Sequence, residues 1–271
     1  DKLKSTSTTS RLIRGLHSQI YVPKSFEIKN MTVELVSPLV APVEVQPGQS
    51  LSYLNASVQL PEIEADLKAN QLNAYTYQLD GADTIFMTKG TLPMVILITG
   101  SDNQIRGNGG LSGPITLSNP STIFISGLNG FIDNTITLNN GEMQLDYNLL
   151  MHNNGKIVGP GTVDLQSNHL DISTGFGDSP LRWKGDFGEI NLHGRVSLSH
   201  TWTIQGNCTI NGNIAKLVLD DGGEIVVDTD SHLRIRNLRI VGLKEENIRC
   251  IDDTGSIALL KTDIQLANDY K

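Results

Sequence analysis

The stretch PITLSNPSTIFISGLNGFIDNTITLNN, residues 114–140, decides how this chain is read. It opens on PITLSN and closes on TITLNN, so Ile115 and Ile136 hold the same place in two similar hexapeptides 21 residues apart. The echo continues in TVDLQSN with Val163, RVSLSH with Val196, KLVLDD with Leu217, NLRIVG with Leu238 and SIALLK with Ile257, at spacings of 27, 33, 21, 21 and 19 residues. A recurrent spacing near 20 residues with insertions marks stacked supersecondary units, the insertions becoming loops. Within each echo apolar and polar residues alternate, which is the period of a half-buried strand.

A second element recurs beside the first: an apolar residue two places before a glycine, in Ile105/Gly107, Ile125/Gly127, Ile157/Gly159, Leu192/Gly194, Ile204/Gly206, Ile210/Gly212 and Ile240/Gly242. Glycine after an inward residue lets the chain turn a corner at positive φ. Asn129, Asn139, Asn140, Asn153, Asn154, Asn211 and Asn213 stand near these corners, where asparagine tolerates left-handed backbone or forms ladders between coils. The expectation is an all-β, parallel β-solenoid whose coils each hold about three short strands. A right-handed winding is expected, because parallel crossovers are overwhelmingly right-handed.

Working outward, the solenoid is expected over residues 84–271. Residues 36–83 read as a cap-like region of short strands broken by prolines, with one helix expected at 61–72 (PEIEADLKANQL), where Pro61 suits a first helical position and Glu62 and Glu64 the first turn. Residues 1–35 read as a basic arm with strand potential, since QIYV and SFEIKNMTVELV alternate. Composition agrees with the class. In 271 residues, 38% hydrophobic content supports a sizeable core, whereas 5% aromatics and 26 glycines favour many short strands over a few long helices.

Net charge is −8, which argues against a nucleic-acid-binding body. The charge is uneven: residues 1–30 carry six cations against Asp1 and Glu27, a formal +4, leaving −12 for the rest. No run of 18 apolar residues is present, so no membrane-spanning helix is expected. A start at Asp1, without Met or an apolar leader, is read as a processed, secreted form. Cys208 and Cys250 are too few for a disulfide framework and lack metal spacing. At about 21 residues per coil they lie two coils apart, roughly twice the ~4.8 Å strand spacing, so no disulfide is expected.

Residues 217–266, LVLDDGGEIVVDTDSHLRIRNLRIVGLKEENIRCIDDTGSIALLKTDIQL, resemble the repeat units of secreted pectin-lyase-like right-handed β-helix proteins. They look most similar to repeat-rich surface proteins of host-associated bacteria. The resemblance covers about residues 100–271 as a pattern of repeats, and it implies fold and exposure but no reaction.

Many such proteins degrade polysaccharides, so the carboxylates Asp220, Asp221, Asp228, Asp252 and Asp253 were weighed as catalysts. Glycoside hydrolysis needs two carboxyls facing one groove at a defined separation, which adjacent Asp pairs do not supply. LDDG at 219–222, RIR at 234–236 and LHG at 192–194 look like polygalacturonase elements, but His193 precedes Asp220 where that family has the reverse order. Asp220-Asp221 reads better as a solvated corner. The six histidines show no HExxH, no serine lies in Gly-Xaa-Ser-Xaa-Gly, and GNGGLSG at 107–113 lacks a phosphate-loop Lys. No enzyme activity, cofactor or metal is expected, although corner aspartates could take incidental calcium. Trp183, Trp202 and Tyr147 could stack on sugars, but read first as packing.

A solenoid leaves unpaired backbone at its two ends. After the strand at 262–266 only ANDYK follows, with no visible cap. The expectation is therefore a non-enzymatic, extracellular subunit that assembles head-to-tail into a filament or surface appendage, by end stacking or N-terminal strand donation. Its contacts are expected at Lys2, Lys4, Arg11, Arg14, Ile20, Val22, Phe26 and Ile28 on one side and at Asp252, Asp253, Asp263, Ile264 and Leu266 on the other. The partner is a second copy of the chain, with a host surface or glycan as a further partner and no nucleic acid. The alternatives are a monomeric adhesin or carbohydrate-binding β-helix, and a polysaccharide lyase or hydrolase.

Overall fold

A computed structural model describes residues 95–268 and Leu79 with their side chains, apart from 107–109, 119, 126–130, 153 and 174–175; strands before residue 95 are described as backbone. The helix expected at 61–72 lies outside the described residues. Among the described residues there is no helix, and each strand pairing is parallel. The fold is an all-β parallel β-solenoid, as the repeat predicted. No helix is long and apolar enough to cross a membrane among the described residues. Two compact units divide between Thr137 and Leu138.

In the first unit, one ladder runs from Lys2–Lys4 through Phe26–Lys29, Leu51–Leu54, Thr76–Leu79, Val95–Ile98 and Ile115–Leu117 to Thr135–Thr137. A second runs from Leu12–Gly15 through Thr32–Leu35, Ser57–Gln59, Thr84–Met87 and Asn103–Gly107 to Thr122–Ser126. Ile20–Val22 pairs with Val43–Val45. Ile115 and Ile136, the residues that opened the repeat, are register partners. The repeat length here is therefore the length of one coil.

The second unit has three faces. On the first, Arg195–Leu198, Lys216–Leu219, Arg239–Leu243 and Asp263–Leu266 stack in order. The second face stacks Glu142–Leu145, Thr162–Asp164, the start of Leu181–Leu192, the start of Thr201–Asn211, Glu224–Val227 and Ile248–Cys250. The third stacks Leu149–Met151, His169–Ile172, the ends of the two long strands, His232–Arg236 and Ser256–Leu260. Each face repeats the same alternation, and this corrects part of the sequence reading. Val163 belongs to the second face, where it pairs with Met143 and Trp183. Leu217 pairs with Ile240 rather than with Leu238, and Ile257 lies on the third face over Leu233.

Alternation explains the core. Val196, Leu217 and Ile240 form one buried column, and Leu170, Ile190, Ile210 and Ile235 form another. Each such side chain contributes about 1.5–3 kcal/mol by leaving water. Trp183 and Trp202 are fully buried and meet edge to face, with ring centroids 5.2 Å apart and planes at 69°. Outside, amides form a ladder: Asn211 Nδ2 donates to Asn191 Oδ1 at 3.0 Å, and Asn237 Nδ2 donates to Asn211 Oδ1 at 3.2 Å.

Corners carry the left-handed residues. Of the glycines read as corner-formers, Gly194, Gly206 and Gly242 have φ of 76°, 76° and 80°. At Gly206 there is a second reason for glycine: a Cβ there would stand 2.4 Å from the Gly185 carbonyl oxygen of the coil below. Gly206→Ala is therefore expected to destabilise the second unit by about 2 kcal/mol or more, through strain and displaced backbone. A lowered urea midpoint by circular dichroism, against an unchanged wild-type value, checks this.

Candidate functional site

The last coil is where the columns open. Among the described residues Ile248–Cys250, Ser256–Leu260 and Asp263–Leu266 each have a strand partner on one side only. Ile264 pairs with Ile240, and Leu259 with Ile235; the earlier residue of each pair is 0% exposed, whereas Ile264 is 44% and Leu259 45% exposed. These side chains point the way of the core, since they continue its columns, and no further coil covers them among the described residues. Leu266 and Ile251 are exposed at the same level.

Acidic groups rim this edge. Asp263 begins the first-face strand, its amide donating to the Leu238 carbonyl at 3.0 Å. Asp252 and Asp253 sit at the corner after Ile248–Cys250, exposed to solvent. The Asp252 carboxylate accepts from the Thr254 hydroxyl at 2.6 Å, from the Thr254 amide at 3.0 Å and from the Thr229 hydroxyl of the coil below at 2.9 Å. These donors, the Thr254 hydroxyl first, hold its carboxyl below the usual range. The corner is thus charged and tied to its neighbour.

The structure brings together Asp252, Asp253, Asp263, Ile264 and Leu266 in one coil. Sequence reasoning missed Ile248, Ile257 and Leu259 of the same edge, although the alternation in SIALL puts Ile257 and Leu259 on one side. The other expected contact residues fall in strands of the first unit. Lys2 and Lys4 pair with Glu27 and Lys29, Arg14 with Glu34, Ile20 and Val22 with Val43 and Val45, and Phe26 and Ile28 with Leu51 and Tyr53. Arg11 lies outside the described residues.

The residues weighed for chemistry are placed as follows. Asp220 and Asp221 lie in an exposed turn, where the Gly223 amide donates to the Asp220 carbonyl at 2.9 Å and Lys244 Nζ lies 3.5 Å from Asp221 Oδ1. His193 Nε2 is paired with Asp171 Oδ1 at 2.7 Å. Trp183 and Trp202 are in the core and cannot stack on a sugar, while Tyr147 is exposed. No group of three or more His, Cys, Asp or Glu side chains converges among the described residues. Both thiols are free; burial, with the charge of Asp164 adding to it, pushes Cys208 up to about 12.

Sequence reading also missed an ion pair. Asp164 is 1% exposed, and its carboxylate accepts from Lys184 Nζ at 2.7 Å, from the Gln166 side chain at 2.8 Å and from the Gln166 amide at 3.1 Å. The hydrogen bond that Lys184 donates to Asp164, opposed by partial burial and aided by the charge of Asp164 and Glu142, raises Lys184 above its ordinary value of 10.5. A raised lysine contributes stability that is fully present below its unfolded value and fades as pH climbs through the folded one. Lys184→Met is expected to cost about 1–2 kcal/mol at pH 7, because half-exposure of Lys184 screens the pair but Asp164 keeps a buried charge. The difference from wild type should shrink above pH 10.5, as urea titrations at both pH values would show.

The fold and this edge define a parallel β-solenoid protein with an apolar, acid-rimmed coil at one end of its second unit. No family model matches the chain, and neither a curated protein nor a solved structure matches it.

Proposed function

We propose that the chain is a non-enzymatic structural subunit that assembles head-to-tail with further copies into an extracellular filament or surface appendage. The observation that carries this reading is the coil of residues 248–266: its strands have a partner on one side only among the described residues, and its inward columns at Ile264 and Leu259 stand half-exposed. Such an edge is a template for parallel pairing, and the coil contacts within the unit show how pairing and apolar stacking satisfy it together. A second copy suits it. Lys2–Lys4, Leu12–Gly15 and Ile20–Val22 also have a partner on one side only among the described residues. The +4 of residues 1–30 complements Asp252, Asp253 and Asp263, within a reach of about 10 Å in 0.1 M salt. End stacking is favoured over strand donation, because the strands of residues 2–35 already pair within their own unit and would have to leave it. A repeated contact of this kind does not close on itself, hence a filament.

The test is sedimentation velocity of the 271-residue chain across a hundredfold concentration range, with negative-stain microscopy of the same samples. Growing polymers with an axial repeat support the reading. A monomer at every concentration overturns it.

A further inference from the structure

A second surface, separate from the open coil, has the makings of a ligand site. On the second face, a hollow of about 330 Å³ is lined by Pro160, Gly161, Pro180 and Leu181 together with Asn140, Thr162, Arg182, Thr201 and Thr203. Thr162, Arg182 and Thr203 are register partners on three successive strands. Their side chains therefore stand in a column, one strand spacing of about 4.8 Å apart. Two exposed prolines, Pro160 and Pro180, flank the hollow at the corner.

The threonine and arginine side chains of this hollow have no hydrogen-bond partner among the described residues. Most cations nearby on the surface are engaged: Lys184 by Asp164, Arg249 by Glu224, Arg236 by Glu189. The Arg182 guanidinium, exposed, makes no hydrogen bond or ion pair among the described residues, its backbone amide alone donating to the Gly161 carbonyl at 2.9 Å. No carboxylate lines the hollow with it. In a chain of net charge −8, an unpaired guanidinium flanked by hydroxyls and walled by proline is a local anion trap.

We propose that this hollow binds a tetrahedral oxyanion, a sulfate or phosphate group carried as an ester on a larger molecule. The guanidinium fork takes two oxygens, and the threonine above or below it supplies a hydroxyl donor to a third. A carboxylate has two coplanar oxygens and no third, so once the fork is on both it can meet the threonines only through its remaining lone pairs and gains less from them. The two exposed prolines offer an apolar surface to whatever carries the ester.

Isothermal titration calorimetry of the full chain with sodium sulfate, sodium phosphate and sodium acetate, at pH 7 and constant ionic strength, tests this. Saturable binding of sulfate or phosphate is expected, with acetate several-fold weaker. Whichever of the two oxyanions binds more tightly identifies the ester. Arg182→Gln should weaken binding about tenfold, Thr203→Val should weaken it by a smaller factor, and Arg195→Gln, an exposed arginine outside the hollow, should leave it unchanged. Circular dichroism confirms that each variant folds. Absence of saturable binding, binding retained in Arg182→Gln, an equal loss in Arg195→Gln, or acetate as tight as sulfate and phosphate would overturn the proposal.

Discussion

Trp202→Ala is expected to lower the stability of the second unit by about 3–5 kcal/mol, the largest effect of any single truncation in this core. Trp202 is fully buried and packs edge to face on Trp183 one coil below, while Ile225 pairs with it one coil above. Removing the indole empties a space bounded on both sides by stacked side chains, which cannot close without shifting the register of a whole coil. Its Nε1 has no hydrogen-bond partner among the described residues, so the expected loss is one of packing. Trp202→Phe should therefore recover most of the stability. Urea unfolding followed by near-ultraviolet circular dichroism distinguishes the two variants. Equal losses in both would mean that the indole is valued for something other than its volume.

The second large effect concerns assembly. The double variant Leu259→Asp, Ile264→Asp puts two charges at the open ends of columns that a second copy would cover. Burying them unpaired in a junction costs several kcal/mol, of the order of a hundredfold or more in association. These positions are about half-exposed and have a strand neighbour on one side only among the described residues, so unfolding should change by about 1–2 kcal/mol at most. Sedimentation should show monomers at concentrations where the proposal expects the wild type to polymerise. Polymers of wild-type length formed by the double variant would move the contact away from this coil.

The two parts of the reading were not equally visible in the sequence. The 21-residue interval between Ile115 and Ile136 is a true coil length, since the two are paired. The interval from Leu217 to Leu238 has the same length, yet Leu217 pairs with Ile240. The reason is geometrical. All three faces of a coil use the same apolar alternation, so an echo reports that a strand recurs without reporting which face it lies on or how long each corner is. Corners here vary, from the bulge around Asp186 and Gly188 that keeps one strand running through the bend to the four-residue turn at Asp220–Gly223.

At the candidate sites the division is sharper. Asp263, Ile264 and Leu266 could be picked out because they are neighbours in sequence, whereas Leu259 and Ile257 join the same edge from another face. Thr162, Arg182 and Thr203 carry no motif at all. They are 20 and 21 residues apart and become adjacent only because each coil is laid on the last.

The alternation of small apolar residues, the glycine corners and the recurrence near 20 residues determined by themselves that this chain is a parallel β-solenoid, because each is a local requirement that one coil must meet alone. Which residues stand over one another, which columns end in solvent, and which arginine is left without a partner were decided only by the stacking. These depend on the accumulated length of every corner, and a single added residue shifts all that follows.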